Sequence, residues 1–157
     1  MTYKKALEYL YSLQKFGIKF GLSKTSNLLK KLDNPHHGQL YIHIGGTNGK
    51  GSVSTMVESI LIRAGFKVGF YSSPHLVRFT ERFRINRKEI SKKKVADLTA
   101  ELKDIINPTS DPPTYFEVTT AMALAYFARE KTDISVMEVG MGGPLNLWIG
   151  AEAIRWK

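Results

Sequence analysis

The stretch "YIHIGGTNGKGSVS", Tyr41 to Ser54, is an apolar run that breaks into glycines, a lysine and a serine. Gly46, Gly49 and Gly51 carry no Cβ and tolerate positive φ, so successive backbone N–H groups can converge on one anion. Lys50 adds a point charge suited to the β- and γ-phosphates of a nucleotide, and Ser52 a hydroxyl suited to a metal ion. A helix starting here adds the positive end of its dipole. The spacing departs from the common G-x-x-x-x-G-K-[ST] loop, because position 44 is isoleucine and Gly51 separates Lys50 from Ser52. It is not a dinucleotide fingerprint either, since the glycines run G-x-x-G-x-G. An ordinary glycine-rich turn competes with the phosphate-binding reading. What favours phosphate is the context of strand before and amphipathic helix after.

Nucleotide phosphates call for Mg²⁺, which takes oxygen ligands and keeps several waters. Glu138 ends the apolar run "ISVME", which puts a carboxylate at the C-terminal tip of a strand, where open α/β sheets bind ligands. Ser73, between the strand "GFYSS" and Pro74, offers a second oxygen, although alone it reads as a turn serine. Glu117 opens an apolar helix, so capping competes with any role at a site. His75 can face the same crevice. His36 and His37, between Pro35 and Gly38, have no third ligand nearby and read as loop residues.

A sheet with crossover helices has to hold these groups. Tyr3, Ala6, Leu10 and Leu13 mark a first packed helix, and "SKTSNLLKKLDNP" a short second one ended by Asn34 and Pro35. "GQLYIHIGG" alternates as a buried strand does. Val53, Met56, Val57, Ile60, Leu61 and Ala64 then fall on one helical face, closed by Gly65. "KVGFYSS" is a second strand, followed by a charged irregular stretch with a short strand at "FRIN". Val95, Leu98, Leu102, Ile105 and Ile106 mark an amphipathic helix stopped by "NPTSDPP". "YFEVTTAMALAYFARE" is apolar almost all round, which predicts a helix buried on most sides. "DISVMEVG" is a third strand, and residues 144–157 have weak periodicity and no element assigned. The order predicts an α/β fold, a parallel-sheet P-loop-type ATP-binding domain with crossover helices, incomplete in its sheet.

With 157 residues, 43% of them hydrophobic, one compact domain is expected. No cysteine is present, which excludes disulfides, thiolate metal sites and a cysteine nucleophile. No run reaches the roughly 18 apolar residues of a membrane span, so neither a membrane nor a secretory route is expected and the cytoplasm is favoured. A net charge of +9 biases the surface toward anions. Nucleic acid is not expected among them, because stacked-aromatic and recognition-helix patterns are missing, and "SKKK" at 91–94 reads as solvated lysines at a helix start.

Together the motifs resemble the folylpolyglutamate synthase and dihydrofolate synthase family, within the Mur ligase superfamily. "GTNGKGS" (Gly46 to Ser52) is similar to its P-loop, and "YSSPHLVRFTERFRIN" (Tyr71 to Asn86) to the segment after its second strand. "TYFEVTTAMALAYF" (Thr114 to Phe127) is similar to its folate-contacting helix, and "VMEVGMGG" (Val136 to Gly143) to its metal-binding strand end. The resemblance implies ATP, L-glutamate and folate or dihydropteroate as partners, Mg²⁺ as cofactor, and a monomer. It further implies that Thr47, Asn48, Gly49, Lys50, Gly51 and Ser52 hold ATP phosphates, with Lys50 catalytic, and that Ser73 and Glu138 ligate Mg²⁺. Ile18, Lys19, Phe20, Thr114, Tyr115, Phe116, Glu117 and Leu145 are implied as substrate contacts.

Beyond Gly143 the chain departs from the family's R-x-D-[AS]-T-N pattern, with Pro144 and Asn146 in place of the arginine and aspartate. The expectation is an N-terminal ATP- and folate-binding domain over 1–143, an aberrant tail over 144–157 of the kind a frameshift or early stop produces, and no C-terminal glutamate-ligase domain. A glutamate ligase is the function implied. A nucleotide-binding fragment without catalysis and a P-loop small-molecule kinase are the alternatives.

Overall fold

The structure, a computed structural model, describes residues 1–17, 23–106, 112–138 and the backbone of 152–153. Three parallel strands form its centre: β1 (Leu40–Ile44), β2 (Val68–Tyr71) and β5 (Ile134–Glu138). β5 lies between the other two, pairing Val68 with Ile134 on one side and Leu40 with Ile134 on the other. All three strands therefore end at the same edge, where the glycine loop, Ser73 and Glu138 follow.

Side chains alternate across the sheet. Tyr71 and Met137 join the larger core, which α1 (Tyr3–Ser12), α2 (Ser23–Lys31), α4 (Lys92–Ile105) and α5 (Tyr115–Arg129) cover. Val68, Phe70, Ile134 and Val136 face the other way, toward α3 (Lys50–Arg63). α5 is the centre of the larger core, buried continuously from Glu117 to Phe127, as its apolar circumference predicts. It lies so close to the sheet that a Cβ on Gly69 would sit 2.9 Å from the Phe127 ring and closer still to Ser135 Oγ. Position 69 has room only for glycine.

The structure differs from the sequence reading in three places. The stretch after β2 forms a 3₁₀ turn (Phe79–Arg82) and an antiparallel hairpin, β3 (Phe83–Ile85) with β4 (Lys88–Glu89), so the sheet is mixed. Asn86 and Arg87 make the hairpin turn with φ of 46° and 68°, the left-handed pair that a two-residue hairpin loop requires. Secondly, the tail is not without an element: the backbone of β6 (Glu152–Ala153) pairs parallel with Leu40 and Tyr41. The sheet order is β4-β3-β2-β5-β1-β6.

The third difference concerns α3. Val57 and Leu61 pack on the sheet, but Val53, Met56 and Ile60 are exposed, Met56 at 62% and Ile60 at 66%, and so is Ala64. Ser54 and Glu58 take the buried stripe instead. Helical periodicity identifies an apolar face, yet the helix is rotated so that Glu58 meets Arg84 of β3 on the same face of the sheet. Among the described residues no helix is long and apolar enough to cross a membrane.

Candidate nucleotide and metal site

The loop after β1 is exposed from Gly45 to Gly49 and passes straight into α3. Gly46 has φ 152° and Gly49 has φ 75°, so both occupy backbone conformations that a side chain disfavours. Gly49 is the N-cap residue and brings no capping side chain. The first N–H groups of α3 thus have neither an intrahelical acceptor nor a side-chain cap, the arrangement that receives an anion. Lys50 Nζ donates to the Gly46 carbonyl at 2.7 Å, folding the lysine back across the loop with two donors to spare.

Glu138 ends β5 in register with Ile44, directly beside this loop. Its Oε2 lies 4.0 Å from the place a Gly51 Cβ would occupy, so the first turn of α3 and the carboxylate share one space. Burial raises the Glu138 carboxyl above the usual glutamate range, and the charges of Lys50 and Arg84 oppose that rise. The carboxylate has no hydrogen-bond partner among the described residues. A half-buried acid without a partner, facing cations and a loop of free N–H groups, suits Mg²⁺. No group of three or more histidine, aspartate or glutamate residues exists among the described residues. Mg²⁺ with one or two protein oxygens, completing its shell from phosphates and water, fits that donor set.

Ser73 follows β2, the strand adjacent to β5. Its Oγ accepts a hydrogen bond from Arg82 Nη1 at 3.1 Å, and Arg82 Nε donates to His75 Nδ1 at 2.8 Å. Because a guanidinium is always protonated, Nδ1 must be the bare nitrogen, and His75 is neutral with its proton on Nε2. That Nε2–H faces Tyr11 Oη at 3.4 Å. Burial, chiefly, and the Arg82 charge lower the His75 pKa, against a smaller opposing effect of Glu81. The rings gather around this loop: Tyr11 stacks on Tyr115 at 6.0 Å, and the Arg82 guanidinium lies 5.4 Å from the Tyr115 centroid.

Thr114 and Glu117 cap α5 reciprocally: Thr114 N–H donates to Glu117 Oε2 at 2.7 Å, and Glu117 N–H to Thr114 Oγ1 at 3.4 Å. Both side chains are buried. Capping therefore uses the Glu117 carboxylate, as its position at the helix start suggests. Tyr115 and Phe116 are half-buried, and the Tyr115 hydroxyl is buried without a partner. Of the other sequence-derived substrate contacts, Ile18, Lys19, Phe20 and Leu145 lie outside the described residues.

Sequence reasoning missed Arg82, Arg84 and Glu58. Arg84 Nη2 pairs with Glu58 Oε2 at 2.8 Å and its guanidinium lies 4.0 Å over the Phe70 ring. Both arginines sit in the charged stretch that reads as irregular, where nothing in the local pattern marks Arg82 as buried or Arg84 as half-buried. The alternation of "FRIN" is the one available signal, since it places Arg84 on the face opposite Phe83.

Known proteins place this geometry in a family. No family model matches the chain. It is 39% identical over 140 residues to the dihydrofolate synthase/folylpolyglutamate synthase of Haemophilus influenzae, covering 89% of this chain and 31% of that protein. The crystal structure of folylpolyglutamate synthase from Thermotoga maritima matches with a TM-score of 0.83 and 48% identity, over 91% of this chain and 34% of that one. A solved folylpolyglutamate synthase complex with AMPPCP and folate matches with a TM-score of 0.83 and 31% identity, over 93% of this chain and 37% of that one. The chain thus spans about a third of the length of these relatives. In sequence and in structure it belongs to the folylpolyglutamate synthase/dihydrofolate synthase family and corresponds to the N-terminal part of its members.

Proposed function

We propose that this chain is the nucleotide- and folate-binding part of an ATP-dependent ligase that joins L-glutamate to dihydropteroate or a (tetrahydro)folate. The observation carrying this reading is the Gly46–Ser52 loop at the uncapped start of α3, with the unpartnered Glu138 carboxylate beside Gly51. A solved relative bound to AMPPCP and folate supports it. A carboxylate is a poor electrophile, so the reaction needs a leaving group. Transfer of the ATP γ-phosphoryl group to the substrate carboxylate gives an acyl phosphate and ADP. The glutamate amine then attacks the acyl carbon, phosphate departs with the C–O bonding pair, and the amine loses its proton as the amide forms.

Thr47, Asn48, Gly49, Lys50, Gly51 and Ser52 hold the phosphates, and Lys50 neutralises charge on the group in transfer. To take that role its Nζ exchanges the Gly46 carbonyl for phosphate oxygen. Ser73 and Glu138 hold Mg²⁺, which supplies further charge neutralisation when bound. Tyr115 and Phe116 offer a half-buried aromatic wall at the same edge, and Thr114 and Glu117 fix the helix that carries them. Ile18, Lys19, Phe20 and Leu145 complete the substrate contacts. The family resemblance assigns the glutamate site to the part of the longer relatives beyond the matched region, and the proposed compartment is the cytoplasm, where ATP is made available.

Titrating ATP with Mg²⁺ into the chain and into Lys50→Ala tests the loop. Affinity should fall at least about tenfold in the variant, as for loss of a charged hydrogen bond. Equal affinity would remove the phosphate role. A second reading, a nucleotide-binding module without turnover, rests on the same loop and carboxylate. ADP release that requires both a pterin carboxylate and glutamate would exclude it, and a phosphorylated product without amide would point to a kinase.

A further inference from the structure

Arg82 is a buried cation held by neutral acceptors. It is 5% exposed, and it pairs with no carboxylate among the described residues. The acids near it in sequence are committed elsewhere. Glu81 accepts from the backbone N–H groups of Leu76, Val77 and Arg78, while Glu89 pairs with Arg78 and Thr80. Burying a charge is costly unless an opposite charge accompanies it, so neutral partners alone are a poor bargain for stability. What the two neutral acceptors provide is direction. A planar guanidinium donating to Ser73 Oγ and His75 Nδ1 at once fixes both side chains relative to each other. The Tyr115 and Phe79 rings, 5.4 and 6.0 Å from the guanidinium carbon, hold its plane.

We infer that Arg82 is a positioning residue that orients the Ser73 hydroxyl for Mg²⁺-dependent nucleotide binding; the inference rests on the metal role proposed for Ser73. Arg82 is donor-only, so it occupies one lone pair of Ser73 Oγ and excludes the hydroxyl proton from its own side. The second lone pair and the proton are left for the ligand. Without Arg82, the hydroxyl is free to rotate and the segment from Ser73 to His75 loses its tie to the Phe79–Arg82 turn. Outer partners of metal ligands act in this way, with losses of roughly 10- to 100-fold in metal affinity when removed.

The test is calorimetric titration of AMPPCP into the 157-residue chain with and without Mg²⁺, reading the ratio of the two affinities. Arg82→Gln should lower that ratio about tenfold and leave the metal-free affinity unchanged. Ser73→Ala should lower it by a similar factor, and adding Arg82→Gln to Ser73→Ala should lower it no further. Arg82→Lys, which keeps the charge but reaches one acceptor, should recover part of the ratio, and it carries the same comparison should circular dichroism show the glutamine variant unfolded. An unchanged ratio in the Arg82 variants, or effects that add in the double variant, would overturn the inference. Absence of any nucleotide binding by the unaltered chain would instead refute the parent reading of the loop, and the inference with it.

Discussion

The two faces of the sheet are built to different standards. Under α1, α2, α4 and α5 lies a continuous apolar core in which Leu10, Phe83, Met122 and Phe127 are fully buried. Under α3 the core is reduced to Val68, Phe70, Ile134 and Val136, with Glu58 and Ser54 buried beside them and Val53, Met56 and Ile60 turned outward. The first face holds the strands in register. The second holds the loop proposed to bind nucleotide, a role that calls for exposed N–H groups and a carboxylate without a partner. Stability and function are thus divided between the faces, and α5 links them by anchoring the Tyr115 end of the site while its middle fills the core.

The sharpest way to break this contrast is Phe127→Ala, which should cost about 3–5 kcal/mol in urea denaturation because it opens a cavity beside Gly69. Met56→Ala, on the other face, should change stability by no more than about 0.5 kcal/mol. A large loss at Met56 would show that something covers α3 in solution.

Next in size is the ion pair beneath α3. Arg84→Met strands Glu58, which is 1% exposed, and should cost about 3 kcal/mol, most of it recovered by adding Glu58→Gln. Failure of the second change to rescue would mean that Arg84 contributes through its packing on Phe70 instead. Lys50→Ala separates the two roles further: thermal stability should stay within about 0.5 kcal/mol of the unaltered chain, since among the described residues the Lys50 ammonium donates only to an exposed loop carbonyl.

The smallest effect is electrostatic. Hydrogen bonding from Arg129, before all else, holds the Glu101 carboxyl below the usual glutamate range. A carboxyl with a lowered folded pKa adds stability that is present above its unfolded value and lost as pH falls through the folded one. The stability difference between the unaltered chain and Glu101→Gln should therefore be a few tenths of a kcal/mol near neutrality, and vanish in acid. A difference that persists in acid would remove the ionic account of the α4–α5 contact.

Most of the candidate site was legible because its signals are local. Gly46, Gly49 and Gly51 declare a loop of free N–H groups, and an apolar run that ends in Glu138 declares a strand tip. Periodicity likewise located β1, β2, β5 and the buried α5. Arg82 was not legible, since its burial depends on Tyr115 and Phe79 closing around it and on Ser73 and His75 supplying acceptors. Of the β3–β4 hairpin only β3 was legible, at "FRIN"; β4 is too short to show a pattern, and Asn86–Arg87 is a weak announcement of a turn. The orientation of α3 was not legible, because a periodic pattern gives the angle between apolar residues, not the direction of the partner they meet.

By itself, then, the sequence determined the order of strands and helices, the anion-ready loop and the acid at the third strand's tip, because each follows from spacing along a few neighbouring residues. Only the tertiary structure decided that β5 enters between β1 and β2, bringing Glu138 beside Gly51. It alone decided that α3 turns Glu58 inward, and that Arg82 is enclosed with the Ser73 hydroxyl in its grip. Those outcomes depend on which distant segments share a surface, and packing between remote residues settles that after the local elements have formed.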